Sequence, residues 1–175
     1  MELPPDFAPG TFWEDSAYAA EAYTEPSPSD ELIARVETDL GYRLPAFYVA
    51  LMRTRNGGVP RNTCFPTTEV TSWADYHIAI TGMAGIRYGK RYSLCGDLGS
   101  QFMLDEWGYP AIGVVVADCP SAGHDLVLLG YRACGPQGEP AVVHVDQEDD
   151  YRITPLAPSF EAFVQGLLPE STFEE

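Results

Sequence analysis

The sequence is poor in positive charge. It contains one lysine, Lys90, and nine arginines among 175 residues, against 26 aspartates and glutamates, and its formal net charge is −16. Binding to duplex nucleic acid depends on lysine and arginine side chains that neutralise phosphates. The shortage of bases therefore argues against nucleic acid as a partner.

Long apolar runs are also missing. No stretch approaches the ~18–20 consecutive apolar residues that span a bilayer. Residues 1–6 are acidic, whereas the start of a secretory signal is basic. We therefore predict no membrane segment and a cytoplasmic location.

Cysteine and histidine are sparse, with four and three copies. No two cysteines form a CxxC pair, and without an export signal we expect them to be reduced, small core residues. A catalytic thiol among them stays open as an alternative. The four are Cys64, Cys95, Cys119 and Cys134.

Apolar residues, by contrast, make up 45% of the chain and aromatic residues 12%. This composition is typical of one globular domain. A chain of this length buries roughly 65–70% of the surface that its unfolded form exposes, so a core can form without disulfides or a structural metal. We predict a single domain over 1–175, with an extended lead-in at 1–11, the folded domain at 12–168 and a tail at 169–175.

The negative charge is concentrated at the two ends of the chain. Residues 1–40 hold ten acids and one base, residues 41–100 hold three acids and seven bases, and residues 101–175 hold thirteen acids and two bases. Fields of this kind steer oppositely charged partners and raise their association rates. A basic protein partner fits this pattern best, and the alternative is that the acidity serves solubility alone.

Three segments have helical periodicity after a short aromatic-rich helical segment at 12–23. In the first, Ser27 and Pro28 begin a helix that Gly41 ends in a left-handed conformation. The second begins at Pro45 and ends at residues 56–58, Asn-Gly-Gly, where at least one glycine is expected at positive φ. The third covers 159–168 and stops at Pro169.

Between the second and third helices, short β-branched and aromatic runs recur between glycines and prolines. The predicted strands cover 63–70, 78–81, 91–95, 102–106, 112–117, 126–131, 141–147 and 151–154. The runs at 112–116 and 126–129 are apolar on successive residues, so we expect central strands that are covered on both faces by helices. Helices, then strands, then a helix predict an α+β fold with an antiparallel sheet.

Two groups of residues have the composition of a reactive site. His144, Asp146 and Glu148 would share one face of a strand, as a zinc or iron site requires. Cys119 lies close in sequence to His124 and Asp125, the residue types of a cysteine hydrolase. Three groups within seven residues usually diverge, however, so we favour a turn in which Asp125 bonds backbone amides. We predict no catalytic residues, no metal and no cofactor.

Carboxylates and aromatic side chains at predicted strand ends form the candidate partner-binding set. Exposed loops carry recognition, and tryptophan and tyrosine provide large contact areas at interfaces. The aromatic-rich set outside the predicted strand cores also includes Trp13, Trp73, Tyr76, Tyr88 and Tyr92. The predicted partner-binding residues are Asp105, Glu106, Trp107, Tyr109, Asp125, Asp146, Glu148, Asp149 and Asp150.

Several segments in register resemble the SUKH superfamily, the group of the fungal Smi/Knr cell-wall assembly regulator. The helical part contributes Leu44-Pro45-x-x-Tyr48 followed by Asn-Gly-Gly at 56–58. Further similar segments are Trp73 near His77, residues 99–102, 106–110, 120–125 and 138–148, and the closing Ser159-Phe160-Glu161-x-Phe163. The similarity covers about residues 12–168, and these segments are similar to one bacterial branch of the superfamily.

The resemblance implies an α+β fold whose curved antiparallel sheet is flanked by N-terminal helices and a C-terminal helix. It also implies no established catalysis and, for bacterial members, a role as immunity proteins that neutralise toxins, commonly nucleases. Our first hypothesis is therefore a non-enzymatic immunity protein that binds a basic toxin. A regulatory or scaffold interaction module like the fungal relatives is the second, and an enzyme using Cys119, His124 or His144 is the third.

Overall fold

The computed structural model describes residues 1–174 and contains short helices and antiparallel strands. Residue 175, the end of the predicted tail, lies outside the described residues. The helices are α1 (Pro9–Phe12), α2 (Ala17–Ala22), α3 (Asp30–Leu40), α4 (Ala46–Thr54), α5 (Ser100–Trp107) and α6 (Phe160–Gly166). The strands are β1 (Cys64–Pro66), β2 (His77–Ala79), β3 (Gly82–Met83), β4 (Gly113–Asp118), β5 (Asp125–Gly130), β6 (Ala141–Asp146) and β7 (Arg152–Ala157), and 3-10 turns occur at Gln147–Asp149 and Glu170–Phe173.

Strands β3 to β7 form one five-stranded antiparallel sheet in chain order, and β1 and β2 form a separate hairpin. The register shifts in β4 between Val115 and Ala117. It shifts again where β6 pairs with β7, because the consecutive Val142 and Val143 pair with Ala157 and Pro155 and so skip one residue of β7. Such bulges bend a strand and increase its twist. The predicted α+β class with an antiparallel sheet is confirmed.

The two central strands, β4 and β5, are buried along nearly their whole length. Val114 and Val127 belong to a core shared with α3, α4 and α6, whereas Val115 and Leu128 belong to a second core shared with α5. Side chains alternate between the two faces of a strand, so successive apolar residues need cover on both sides. The prediction of doubly covered central strands is confirmed.

Helix α5 corrects the predicted strand at 102–106. Phe102, Met103 and Trp107 recur at helical spacing and contribute to the second core, and Gly108 ends the helix at φ 74°. The error lies in the assumed period, because a short amphipathic segment bounded by glycines fits either a strand or a single buried helix face.

Two other local predictions change in detail. The predicted strand at 91–95 is a series of turns, since the amide of Ser93 donates to Lys90 and that of Leu94 donates to Gly85. Helix α3 begins later than predicted: Ser29 is its N-cap, and the Ser29 hydroxyl accepts from the amide of Leu32 at 3.2 Å. Its predicted end is confirmed, because Gly41 has φ 82°.

The segment predicted as an extended lead-in packs on the domain. It includes α1, and the ring of Phe7 contacts the ring of Phe47 in an edge-to-face arrangement with a centroid distance of 5.7 Å. Aromatic pairs of this geometry stabilise the fold by more than the burial of their apolar surface alone would.

The link from α4 to the sheet depends on Asn56 and Gly57. The buried Asn56 side chain accepts from the amide of Ile86 at 2.7 Å and donates to the carbonyl of Pro26 at 2.9 Å. Gly57 has φ 91°, and a Cβ there would lie 2.4 Å from the Tyr23 carbonyl oxygen. The predicted positive-φ glycine of the Asn-Gly-Gly segment is therefore Gly57.

We expect Gly57→Ala to lower the free energy of unfolding by about 2–3 kcal/mol, because it combines left-handed strain with a backbone clash. Gly41→Ala is the matched control: its φ is similar, but no atom lies within 4 Å of the added Cβ, so we expect a loss of about 1 kcal/mol. Urea unfolding of the two variants checks this. Equal losses would show that the clash at Gly57 contributes nothing.

A half-buried carboxyl, that of Asp118, joins α2 to the end of β4. The hydroxyl of Tyr23, just after α2, donates to Asp118 Oδ1 at 2.8 Å. Burial raises the pKa of the Asp118 carboxyl from its ordinary 3.8 to about 6, although the hydrogen bond from Tyr23 opposes this rise. The folded protein therefore holds the Asp118 proton more tightly than the unfolded chain does.

This difference predicts a specific pH dependence. The protonated Asp118 favours folding below about pH 4, and its contribution is lost as the pH rises through about 6. Asp118→Asn cannot titrate, so its unfolding free energy should fall less than that of the wild type across this range. Urea unfolding at several pH values between about 4 and 7 measures the difference, and parallel curves for the two proteins would contradict it.

Candidate functional site

Exposed carboxylates are concentrated in the turn between β6 and β7. Glu148, Asp149 and Asp150 are all exposed in and just after the 3-10 turn Gln147–Asp149. Asp150 and Tyr151 have φ values of 56° and 60°, which hold the turn in a left-handed conformation before β7 begins. We call Glu148, Asp149 and Asp150 the acidic turn.

The end of α5 lies against the acidic turn. The hydroxyl of Tyr151 donates to the Trp107 carbonyl, and the Trp107 ring meets the His124 ring edge to face at 5.5 Å. His124 Nδ1 in turn lies 2.6 Å from Glu148 Oε1. These contacts place the end of α5 next to the acidic turn. We call the exposed carboxylates of these two segments, Asp105, Glu106, Glu148, Asp149 and Asp150, together with the half-buried Trp107, the acidic surface.

Three of the predicted partner-binding residues are buried instead of exposed. Tyr109, Asp125 and Asp146 retain 3%, 2% and 1% of their accessible surface. The Tyr109 hydroxyl donates to the carbonyl of Gly123 at 2.5 Å, and the two carboxylates face the interior at the end of the sheet. The expectation that they form part of an exposed loop is wrong, because each finds hydrogen-bond partners from other segments.

Asp146 anchors a second loop beside the acidic turn. The amide of Ser72 donates to one Asp146 carboxylate oxygen at 2.9 Å, and the Ser72 hydroxyl donates to the other at 2.6 Å. Arg152 of β7 donates to the Glu69 carboxylate at 2.9 Å. The amide of Thr67 donates to the carbonyl of Tyr76 at 2.8 Å and closes the segment, which we call the 67–76 loop.

The candidate metal group His144, Asp146 and Glu148 does not assemble on one strand. His144 and Asp146 are in β6, but Glu148 lies in the 3-10 turn beyond the strand. His144 Nε2 lies 2.8 Å from Asp125 Oδ2, while Asp146 binds Ser72. The turn after β6 therefore removes Glu148 from the strand face, and the two residues that remain in β6 bind different partners.

A different buried cluster brings together Cys119, Asp125 and His144. One ligand atom from each lies within 4.8 Å of the others. The Ser121 hydroxyl donates to Asp125, so this carboxylate bonds side chains and not the backbone amides we expected. The sequence pattern divides these residues between a metal hypothesis and a hydrolase hypothesis, and the fold brings them together.

The chemistry of this cluster favours a structural role. Burial raises the pKa of the Cys119 thiol well above its ordinary value, and the nearby Asp125 raises it further. Nucleophiles and metal ligands are thiolates, which an adjacent base or cation must stabilise. His124, the base of the proposed hydrolase group, instead faces Trp107 and Glu148. His144 also belongs to this cluster, and its Nε2 is bonded to Asp125, so the cluster links β5 to β6.

Trp73 and Tyr76 are the residues that sequence reasoning did not place at this site. Both were included in the aromatic set, but no local pattern predicts the bond between Ser72 and Asp146, which are 74 residues apart. The signal available in the sequence was three large apolar side chains in the segment between β1 and β2, and the structure exposes all three. They are Val70, Trp73 and Tyr76.

An antiparallel sheet with helices on both faces defines the chain as an α+β domain. The sequence profile of the family SUKH_6, described as SMI1-KNR4 cell-wall, matches residues 30–164, more than half of the chain. The chain therefore belongs to this family, which confirms the resemblance drawn from its motifs.

Family membership supports a protein-interaction or immunity-type domain. Members of the family are generally non-enzymatic immunity or regulatory proteins. The search of curated proteins found no match for the chain. Within residues 1–174, no helix combines the length and the apolar character needed to cross a membrane.

Removal of the Asp146 carboxylate should release the 67–76 loop. We expect Asp146→Ala to lower the free energy of unfolding by about 1.5–3 kcal/mol, the range for hydrogen bonds to charged groups. Exchange of the Ser72 amide should become faster, as measured by hydrogen exchange. Glu106→Ala, which removes an exposed carboxylate, is the control and should change neither quantity, and equal behaviour of the two variants would contradict this role of Asp146.

Proposed function

We propose that this chain is an immunity protein that neutralises a basic toxin, of the nuclease type, by direct binding through the acidic surface. The observation that carries the proposal is that α5 and the acidic turn, which meet at Trp107 and Tyr151, together expose five carboxylates. The encounter takes place in the cytoplasm, where a nuclease would act on nucleic acid.

The negative charge of this surface exceeds the positive charge that Arg152 brings to it. Arg152 lies next to the acidic turn, but it pairs with Glu69 at 2.9 Å and lies 3.6 Å from Asp149. The sequence from 101 to 175 contains two arginines against thirteen acids. A partner with many lysines and arginines is therefore attracted to this face, and nucleic acid is repelled.

A nuclease must present positive charge to the phosphates of its substrate. An acidic inhibitor that covers this charge has a complementary potential, and such complementarity raises the association rate and suppresses wrong partners. Occupation of the nucleic-acid surface also explains how a protein without its own catalysis inactivates an enzyme. The proposed mechanism is therefore steric occlusion guided by charge.

The test uses a charge-neutralised acidic turn: Glu148→Gln, Asp149→Asn and Asp150→Asn in one variant. Asparagine tolerates the left-handed conformation of residue 150, so the turn should keep its shape. The binding probe is the protein encoded by the gene next to that of this chain. We expect the association rate at low salt to fall about tenfold and its salt dependence to flatten, because electrostatic steering contributes factors of 10–10³.

The matched control removes the same number of charges elsewhere, with Glu2→Gln, Asp6→Asn and Glu139→Gln, all at exposed positions. Its association rate should change much less. Binding that is independent of salt and unaffected by the turn variant would contradict the electrostatic mechanism and direct attention to the basic 41–100 segment. A neighbouring protein that neither binds nor is toxic would instead favour a regulatory interaction module.

A further inference from the structure

Exposed apolar side chains are concentrated in the 67–76 loop. Five large hydrophobic side chains are exposed in residues 1–174, and three of them lie within this loop. Val70, Trp73 and Tyr76 keep 57%, 42% and 72% of their accessible surface. Single exposed hydrophobic residues are normal on protein surfaces, but several together on one segment indicate an interaction site.

Hydrogen bonds to strands β6 and β7 hold the loop that carries these side chains in place. Ser72 makes two hydrogen bonds to the buried Asp146, and Arg152 donates to the Glu69 carboxylate and to the Val70 carbonyl. At its tip, the amides of Trp73 and Ala74 donate to the Thr71 hydroxyl, which forms a compact turn. A preordered loop loses little conformational freedom on binding, so its apolar side chains can contribute efficiently to affinity.

The charges of the loop match those of the acidic surface next to it. Glu69 and Asp75 are exposed in the loop, and there is no lysine or arginine between Arg61 and Arg87. Arg152, which is flanked by Glu69 and Asp149, connects the loop to the acidic turn. Exposed aromatic rings among carboxylates suit arginine and lysine side chains, because a cation is attracted both to the ring face and to the acid.

We infer that the 67–76 loop is the apolar anchor of the partner interface. Trp73 and Tyr76 stack on arginine and lysine side chains of a basic protein surface. The acidic turn steers that surface into place. This assignment deepens the proposed function and rests on it for the identity of the partner. It divides the interface into a steering part and an anchoring part. Aromatic residues at the centre of an interface usually control dissociation, whereas charges at the rim control association.

The first experiment compares Trp73→Ala with Tyr76→Ala and with the control Tyr18→Ala, another exposed aromatic residue, which lies on α2. All three side chains are exposed, so near-ultraviolet circular dichroism and thermal midpoints should show an intact core. With the neighbouring-gene product as the probe, we expect each loop variant to raise the dissociation rate at least about tenfold with little change in the association rate. The Tyr18 control should leave both rates unchanged.

The outcomes separate this inference from the proposed function. If the charge-neutralised turn slows association but the loop variants leave dissociation unchanged, the proposed function stands and the anchor is overturned. If both sets of variants leave binding unchanged, the interface lies elsewhere and both are overturned.

If the neighbouring protein does not bind at all, the proposed function fails and a second measurement decides the anchor. The probe is a peptide of alternating arginine and leucine, compared with an oligolysine of the same charge. The readout is tryptophan emission, since Trp73 is exposed while Trp13 is buried and Trp107 is half-buried. A blue shift with the arginine–leucine peptide that is absent from Trp73→Phe supports the anchor, and no shift, or the same shift in the variant, overturns it.

Discussion

The double-sided burial of β4 and β5 is the constraint on which the rest of the structure depends. Both strands carry apolar side chains on successive residues, so neither face of the central sheet can meet water. Helices from the two ends of the chain cover one face, and α5 covers the other. This second cover brings Trp107, at the end of α5, against the segment that follows β6, and the acidic surface is a consequence of that contact.

Carboxylates serve two opposite purposes within a few residues of one another. Asp125 and Asp146 are buried at the end of the sheet, where His144, Ser121 and Ser72 provide their hydrogen bonds. A buried carboxylate is tolerated only when such partners satisfy it. The acids of the acidic turn, just after β6, instead remain in water. The buried acids therefore hold the loops in place, and the exposed acids provide the field that a basic partner would meet.

Much of the fold could be predicted from local patterns, and the failures share one physical cause. The ends of α3 and α4, the four long strands of the sheet and α6 were anticipated to within a few residues, because period, glycine and proline act locally. Helix α5 was assigned as a strand because a short amphipathic segment does not reveal its period without the core it covers. Which carboxylates are buried could not be predicted either. The burial of Asp146 depends on its hydrogen bonds to Ser72, and that of Asp125 depends on its hydrogen bond to His144.

The sequence by itself determined the class of fold, the acidic character of the chain and the family to which it belongs. These properties follow from composition, local periodicity and motifs, and they do not depend on which distant residues meet. Only the tertiary structure decided which acids remain exposed, that Trp107 joins α5 to the acidic turn, and that the 67–76 loop stands beside it with Trp73 and Tyr76 in solvent. The physical reason is that exposure and hydrogen bonding are set by contacts between segments far apart in the chain, which no local pattern encodes.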